Sequence, residues 1–374
     1  MDYKKQLKVL QVFGSLNMGG AESRMMDIYR NLDREACEFD FLTMQTDHQY
    51  YEDEITELGG KIIKIDSPRK SGVIKHISTL YKIMKSGKYD AVHAHTSYHC
   101  GLVALVAFFA RIPVRISHAR TTGSKQKSKL KGLFLFFGRS LVNLFSTYKF
   151  AISNDAGKFL FGKSKFEVVP NAIDTDKYLN ISQDEIVQLK KELKFDNDKL
   201  IIGQIGRFDP MKNHEFTLNW FSQFLQIKPD AVLLLVGDGP LRSDMEKLAK
   251  ELDIADEVVF TGVRGDVPKL IHIFDVLFFP SIFEGLGGVV LEAQAAGVPS
   301  VVSTGVPHET NLGLGMVERC SLDSDFIEWN NAILQSLSKH NISQEEILSA
   351  FDNAGYSIKA VTEKFINAYN KRTK

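Results

Sequence analysis

The stretch SIFEGLGGVVLEAQAAGVPS, residues 281–300, decides the fold. The apolar run DVLFFPS (275–281) predicts a buried strand, and GGVVLEAQAAG (287–297) predicts a helix that Pro299 stops. A buried strand that turns directly into a helix is typical of a parallel sheet covered by helices. The stretch therefore predicts an α/β protein.

The turn between these two elements has the chemistry of an anion site. The first amides of a helix have no internal partner, and Gly285, Gly287 and Gly288 let a ligand approach the backbone. Glu284 precedes the turn and Glu292 lies about two helical turns later. Each carboxylate can accept hydrogen bonds from the paired hydroxyls of a sugar or a ribose. Two surface glutamates on an ordinary strand–turn–helix unit would give the same spacing.

The alternation of strands and helices runs along most of the chain and restarts once, after a polar segment at 168–180. Strands are predicted at 7–13, 38–44, 61–65, 90–95, 114–119 and 148–153, and then at 199–207, 230–239, 256–262, 275–281 and 299–304. We predict two Rossmann-like, doubly wound domains, 1–180 and 181–356, that face a central cleft. An amphipathic C-terminal helix, about 357–374, is expected to pack back on the first domain.

The composition is that of a globular protein without a disulfide framework. The 374 residues exceed what one core usually supports, and three scattered cysteines favour a reducing compartment. The first ten residues lack the apolar core of a signal peptide, and the longest apolar run (102–110) is too short to span a bilayer. These features predict a cytoplasmic protein.

Charge is divided unevenly along the chain, although the net charge is zero. Residues 1–180 carry 27 Lys and Arg against 18 Asp and Glu, and residues 91–150 contain nine basic residues and no acidic one. Within that block, SKQKSKLKGLFLFFGRSLVNLF (124–145) places lysines beside leucines and phenylalanines. It predicts either peripheral contact with an anionic membrane at its inner face or a core helix beside a basic loop.

Two further glycine-containing segments follow predicted strands. GQIGRFDPMKNH (203–214) places Arg207 and Lys212 after the first strand of the second domain, where two cations suit a diphosphate. A solvated basic loop is the alternative. In SLNMGGAES (15–23), Gly19 and Gly20 open a helix, an arrangement that accommodates phosphate or sugar but also fits a simple tight turn.

Histidines cluster in the first domain. His93 and His95 lie on one face of a predicted strand, and His118 ends a neighbouring strand. No cysteine or carboxylate spacing supports a zinc site, so no metal is expected. His118 is the candidate to contact a substrate, and a hydrogen-bonded structural histidine is the alternative.

Two familiar nucleotide-binding patterns are rejected. GKFLFGKS (157–164) matches the P-loop letter for letter, but a helix is predicted over 155–161 and a strand, KFEVV, follows where a helix is required. No G-x-G-x-x-G follows any strand, so the nicotinamide-dinucleotide fingerprint is absent.

Taken together, these motifs resemble the family 4 glycosyltransferases, retaining enzymes of the GT-B fold, and among them the bacterial enzymes of capsular and exopolysaccharide assembly. The resemblance covers nearly the whole chain. It is carried by GGAESRMMDIYRNLDREACEFDFLT, YDAVHAHTS, VVPNAIDTDKY, IGRFDPMKNH, LLLVGDGP, FTGVRGDV and PSIFEGLGGVVLEAQAAGVP. Related polysaccharide enzymes often have proline where Gly287 stands.

The resemblance implies a role for each matching residue. Arg207 and Lys212 match the pair that holds the donor diphosphate, Glu284 the glutamate at the transferred sugar, and Glu292 the glutamate at the nucleotide ribose. His118 matches a histidine beside that sugar. The remaining donor-binding positions by resemblance are the turn Gly285, Leu286, Gly287 and Gly288, the base-reading backbone of Val263 and Arg264, and the first-domain loop at Gly19 and Gly20, which closes against donor or acceptor.

The implied reaction is transfer of a sugar from a nucleotide diphosphate sugar to a glycan acceptor linked to polyprenyl diphosphate. UDP is the expected nucleotide, and GDP is the alternative. Retention by front-side displacement is implied, with no metal or other cofactor, because Arg207 and Lys212 stabilise the departing charge. A sugar-nucleotide epimerase or a non-catalytic sugar-nucleotide-binding protein is the alternative. Nucleic acid is not an expected partner, because no recognition motif accompanies the basic surface.

Overall fold

The computed structural model describes residues 6–121, 129–195, 199–338 and 342–370. The chain divides into two compact units: Met1–Ala172 with Gly355–Lys374 form the first, and Ile173–Ala354 form the second. The division lies inside the polar segment 168–180, at 172/173 rather than at 180/181. The C-terminal residues therefore belong to the first unit.

The first unit is built on a parallel sheet with the strand order β3-β2-β1-β4-β5-β6-β7. Its strands are β1 (Leu7–Phe13), β2 (Cys37–Thr43), β3 (Lys61–Lys64), β4 (Ala91–Ala94), β5 (Val114–Ala119), β6 (Tyr148–Ala151) and β7 (Glu167–Val168). Its helices are α1 (Gly20–Arg30), α2 (Glu52–Glu57), α3 (Pro68–Ser71), α4 (Val73–Gly87), α5 (Cys100–Phe109), α6 (Lys129–Phe145), α7 (Asn154–Phe161) and, at the end of the chain, α16 (Ile358–Asn370).

The second unit has a parallel sheet in the order β10-β9-β8-β11-β12-β13. Its strands are β8 (Leu200–Ile205), β9 (Ala231–Val236), β10 (Val258–Gly262), β11 (Val276–Phe279), β12 (Ser300–Ser303) and β13 (Val317–Cys320). Its helices are α8 (Asp176–Leu179), α9 (Gln183–Glu192), α10 (His214–Phe224), α11 (Arg242–Glu251), α12 (Val267–His272), α13 (Gly288–Ala295), α14 (Phe326–Leu337) and α15 (Gln344–Asn353).

Both faces of the first sheet are covered, as the sequence predicts for a doubly wound domain. Successive residues of β1 point to opposite faces: Val9 and Phe13 join a core with α1 and α16, whereas Leu10 and Val12 join one with α4 and α5. In the second unit every residue of β9 is buried, as expected of a central parallel strand. The α/β prediction is confirmed.

Differences from the sequence prediction are confined to short elements. The strand β13 was not predicted, because VERC carries two charges in four residues and lacks an apolar run. The predicted strand KFEVV is reduced to the two residues of β7. The helix predicted in place of a P-loop is confirmed as α7. Gly157 lies inside this helix, where an added Cβ would lie 2.2 Å from the Phe166 ring.

The C-terminal helix α16 completes the core of the first unit. Val361, Phe365 and Tyr369 are almost fully buried and pack with residues of β1, β2 and α1. The Phe365 ring lies parallel to Phe150 of β6 at a centroid distance of 6.1 Å. Because these residues are contributed from the far end of the chain, the stability of the first unit depends on α16.

Phe365→Ala is expected to lower the free energy of unfolding of the first unit by about 3–5 kcal/mol, because it empties a buried site. Hydrogen exchange at the amides of β1 measures the effect, with the amides of β8 as an internal reference. Phe109→Ala is the matched control, since that ring is 62% exposed. Equal exchange at β1 in the two variants would contradict this packing.

Candidate active site

The site in the second unit is built from loops that leave the carboxyl ends of the neighbouring strands β8 and β11. Backbone contacts join the two loops: the amide of Ile282 donates to the carbonyl of Met211 at 2.8 Å, and the Asn213 side-chain amide donates to Pro280 at 3.1 Å. Parallel pairing places both loops at one edge of the sheet. Two loops that are distant in the sequence are thus held side by side.

Lys212 and Glu284 meet at this edge. The Nζ of Lys212 lies 2.6 Å from Glu284 Oε1, and both side chains are mostly shielded from solvent, 20% and 13% exposed. The ammonium also lies 4.7 Å from the centre of the Phe279 ring. The Lys212 chain crosses Gly206, where a Cβ would approach its methylenes at 3.2 Å. A predicted phosphate-binding cation and a predicted sugar-binding carboxylate therefore neutralise each other here.

Arg207 follows Gly206 and is exposed. Its side chain makes no hydrogen bond or ion pair with the residues that the structure describes, so its five N–H donors are available to a ligand. Arg264 differs, because its guanidinium is paired with Asp266 at 2.6 Å and Glu192 at 3.2 Å, and these carboxylates raise its pKa. Val263 beside it is 68% exposed.

The turn after Glu284 forms the N-terminus of α13. Gly287 is the N-cap with φ +77°, no side chain caps the helix, and α13 begins at Gly288. Proline cannot adopt this φ, because its ring holds φ near −65°. The backbone at Gly287 is therefore left-handed, a conformation that the proline common at this position in related enzymes could not adopt. Leu286 packs inward at 6% exposure.

Glu292 lies in the last half of α13 and is 7% exposed, whereas Gly285 is only half-buried. The helix begins with amides that no side chain caps, which is the geometry expected of an anion site. The structure thus brings Lys212, Glu284 and the 285–288 turn together, and it places Arg207 on the same loop as Lys212.

A third loop, after β12, holds the turn in place, and sequence reasoning missed it. The amide of Glu284 donates to the carbonyl of Gly305 at 3.1 Å, and the Ser303 hydroxyl donates to the carbonyl of Ser281. A Cβ at Gly305 would lie 2.3 Å from the carbonyl oxygen of Ile282, so only glycine fits. The signal in the sequence was the glycine of VVSTGVP, which follows a predicted strand.

The first unit contains the other predicted residues. Gly19 is the N-cap of α1 without a side-chain cap, and Gly20 is the first residue of that helix. The His118 ring is fully buried: Nδ1 lies 3.1 Å from His93 Nε2, and Nε2 lies 3.2 Å from the carbonyl oxygen of Val169. Its two ring nitrogens are therefore engaged within the unit.

His118 belongs to a continuous chain of buried hydrogen bonds. His93 Nδ1 lies 2.8 Å from the Tyr369 hydroxyl, to which Gln11 Nε2 donates at 3.1 Å. Gln11 Oε1 lies 3.0 Å from His95 Nε2, and Arg120 Nε donates to His95 Nδ1 at 3.1 Å. Sequence reasoning missed Gln11, Arg120 and Tyr369, because nothing local marks them as partners of the histidines.

The two ends of this hydrogen-bond chain fix the position of each proton along it. Arg120 can only donate and the Val169 carbonyl can only accept, so each histidine carries its proton on Nε2 and accepts at Nδ1. Burial lowers the pKa of all three rings well below the ordinary value, so they stay neutral.

The nitrogens of His93, His95 and His118 come close enough together to hold a metal ion. A ligating imidazole needs a free lone pair, but each lone pair in this cluster already accepts a hydrogen bond. The cluster is therefore better suited to a structural hydrogen-bond chain than to a metal centre.

Comparison with known proteins finds matches to both units of the chain. Residues 18–177 match the model of Glycosyltransferase Family 4, and residues 186–310 match that of Glycosyl transferases group 1. EpsF of Bacillus subtilis (strain 168), named as a glycosyltransferase, is 34% identical over 98% of this chain and 97% of its own. The capsular polysaccharide biosynthesis glycosyltransferase CapH of Staphylococcus aureus is 26% identical over 98% and 99%.

An Escherichia coli enzyme, UDP-Gal:alpha-D-GlcNAc-diphosphoundecaprenol alpha-1,3-galactosyltransferase, is 26% identical over 62% of each chain. Among solved structures, Anabaena Alr3699/HepE in complex with UDP and glucose superposes with a TM-score of 0.79 at 19% identity, covering 97% of this chain and 99% of that one. At that identity the likeness concerns the fold, which is GT-B.

Glu284→Gln is expected to tighten the binding of UDP about fivefold, because Lys212 then loses its charged partner, an interaction of about 1 kcal/mol. Isothermal titration calorimetry with UDP measures the change. Glu251→Gln is the matched control, since Glu251 pairs with Lys247 on an exposed helix of the same unit. Unchanged or weaker UDP binding in Glu284→Gln would show that the ion pair does not compete with the nucleotide.

Proposed function

This chain belongs to the family 4 glycosyltransferases and acts in polysaccharide biosynthesis, and on that premise we propose that it moves a sugar from a UDP-sugar, with retention, to a polyprenyl-diphosphate-linked glycan. The observation that carries the proposal is the meeting of Lys212, Glu284 and the uncapped N-terminus of α13. The names of the Escherichia coli and Anabaena proteins support UDP, and the former supports the lipid-linked acceptor.

The donor occupies the second unit in this proposal. Arg207 and Lys212 bind the diphosphate together with the turn amides of Leu286 and Gly287 and the first amide of α13, at Gly288. Glu284, released from Lys212, accepts hydrogen bonds from hydroxyls of the transferred sugar. The ribose hydroxyls are assigned to Glu292 and the base to the backbone of Val263 and Arg264.

The chemical step is a front-side displacement. The bond between the anomeric carbon and the diphosphate oxygen breaks while the acceptor oxygen bonds to the same face of that carbon. The acceptor proton passes to the departing diphosphate, whose added charge is stabilised by Arg207, Lys212 and the helix N-terminus. Because these groups supply the positive charge, we propose that no metal is required.

The first unit is assigned to the acceptor. Within it, the loop of Gly19 and Gly20 at the N-terminus of α1 keeps its assignment to the donor or the acceptor, and His118 is assigned to the side of the transferred sugar. The His118 ring is buried, so direct contact requires it to exchange its bond to the carbonyl of Val169. With that bond kept, His118 acts by holding the loop after β7 in position.

A thermal-shift screen of UDP- and GDP-sugars, followed by turnover assays in EDTA, tests the proposal. Ligands of the folded state raise its melting temperature according to affinity and concentration. Lys212→Ala is expected to lower turnover about 10²–10³-fold while leaving the fold intact. Lys247→Ala, an exposed lysine of the same unit, is the matched control.

Near-normal turnover in Lys212→Ala would remove Lys212 from the site, and activity that EDTA abolishes and magnesium restores would contradict the metal-free mechanism. Conversion of the donor into another sugar nucleotide without acceptor would favour an epimerase.

We also propose that the first unit contacts an anionic membrane. On α6, Phe136, Phe137 and Leu144 are 65%, 57% and 74% exposed, and the packed helix α5 adds Phe108 and Phe109. The lysines of the segment 124–145 precede Phe136 in the sequence, but residues 122–128 and the side chains of residues 129–135 lie outside what the structure describes. Aromatic rings beside cations suit the headgroup region of a bilayer. Within the described residues no helix is both long and apolar enough to cross a membrane.

Replacing Phe136 and Phe137 together by Ala is expected to weaken co-sedimentation with phosphatidylserine vesicles several-fold, because two exposed rings no longer insert. Added salt should weaken the binding of the unmodified chain, since the lysine contribution is screened. Ile327→Ala controls for the loss of an exposed apolar residue on the other unit. Salt-insensitive binding, or equal binding of both variants, would refute this contact.

A further inference from the structure

A cavity of about 380 Å³ lies at the carboxyl edge of the first sheet. It is formed where the neighbouring strands β1, β2 and β3 end in register, with Phe13 opposite Thr43 and Thr43 opposite Lys64. Its lining consists of Gly14 after β1, residues 44–47 after β2, and Asp66, Ser67 and Lys70 after β3. Ligands of open α/β sheets bind outside the carboxyl ends of the strands, and this volume is typical of small-molecule sites.

The wall formed by residues 44–47 is held at both ends. The amide of Gln45 donates to the hydroxyl of Thr43 at 3.3 Å. Lys64 Nζ, on the neighbouring strand, donates to the carbonyl of Asp47 at 3.3 Å and pairs with Glu52 of α2 at 2.7 Å. This segment is therefore tied to β2, β3 and α2.

The opposite wall, at Asp66, is anchored by a buried histidine. His76 of α4 is 1% exposed, and its Nδ1 lies 2.8 Å from the carbonyl oxygen of Asp66. A carbonyl can only accept, so His76 carries its proton on Nδ1, and its Nε2 accepts from His99 Nε2 at 3.0 Å. Both walls are thus fixed before a ligand arrives, which lowers the entropy lost on binding.

Lys70 connects the two walls. Its Nζ lies 3.1 Å from Asp66 Oδ1 on one wall and donates to the Thr46 hydroxyl on the other at 3.5 Å. The carboxylates of Asp66 and Asp47 outnumber this one ammonium among the lining residues, so the lining carries one net negative charge. Like charges repel, and the cavity therefore disfavours a phosphate-bearing ligand.

The lining has the mixed chemistry that a neutral sugar requires. Sugar hydroxyls both donate and accept hydrogen bonds, and the lining offers carboxylates that accept, an ammonium that donates, and hydroxyl and amide groups that do both. Met44 and Gly14 add apolar surface for the C–H groups of a sugar ring.

We propose that this cavity binds a neutral sugar residue of the acceptor glycan. Its assignment to the acceptor rests on the proposed function, whereas the cavity and its charge rest on the geometry of the first unit alone. Asp66 accepts hydrogen bonds from the sugar hydroxyls, and Lys70 and Thr46 donate to the sugar oxygens.

Gly14 allows the cavity to be filled without strain. A Cβ added there meets no heavy atom within 4 Å, and its φ lies outside the left-handed region. Gly14→Leu is therefore expected to fold normally and to occupy the cavity. Gly14→Ala is the matched control, since it makes the same change to the backbone with much less volume.

Saturation-transfer difference NMR of the full chain measures binding of the methyl glycosides of glucose, galactose and N-acetylglucosamine. We expect at least one of them to bind. Gly14→Ala should keep that binding, Gly14→Leu should weaken it at least tenfold, and Asp66→Asn should weaken it several-fold. The bound glycoside should inhibit turnover in competition with the lipid-linked acceptor and not with the UDP-sugar.

Failure of all three glycosides to bind, equal binding by Gly14→Leu and Gly14→Ala, or competition with the UDP-sugar would each overturn the proposal. If Gly14→Leu does not fold, unchanged binding by Asp66→Asn overturns it. Glycoside binding that Gly14→Leu removes, in a chain that does not bind UDP, would support the cavity and count against the proposed donor. UDP binding without glycoside binding would overturn this inference and leave the donor site in place.

Discussion

The approach of Lys212 Nζ to Glu284 Oε1 at 2.6 Å requires two loops, 72 residues apart, to leave one edge of a sheet side by side. Parallel pairing of β8 with β11 meets that requirement, since the carboxyl ends of parallel strands share an edge. Glycine at 206 lets the lysine chain lie close to the backbone, and glycine at 305 lets a third loop support the turn. The chemistry assigned to the second unit depends on this convergence.

Much of the fold could be predicted because its signals are local. Buried parallel strands are apolar runs, so β1 and β5 were predicted with the bounds that the structure gives them, and β8 and β9 with ends shifted by a few residues. The donor turn was predicted because strand, glycines and helix are contiguous in 281–300. The short strand β13 carried no such run and was missed.

The rest depends on contacts between distant residues. His93 and Tyr369 are 276 positions apart, and neither has a neighbour in sequence that indicates the other. The sequence showed His118 at the end of a strand, but it could not show that the ring is fully buried, because the ring packs against Phe365 of α16, which lies far away in the sequence. The pairing of Lys212 with Glu284 could not be predicted for the same reason. The sequence assigned each side chain to a ligand, whereas in the structure the two form an ion pair with each other.

The first unit is discontinuous, and this has a consequence for synthesis of the chain. A ribosome makes all of Ile173–Ala354 before it makes Gly355–Lys374, so the second unit has its full sequence while the first still lacks α16. Until then Phe39 and Phe150 lack the aromatic partners that Phe365 and Tyr369 provide. The half of the chain translated first is thus the half completed last, and a nascent chain that stalls before Tyr369 exposes an unfinished apolar surface to chaperones.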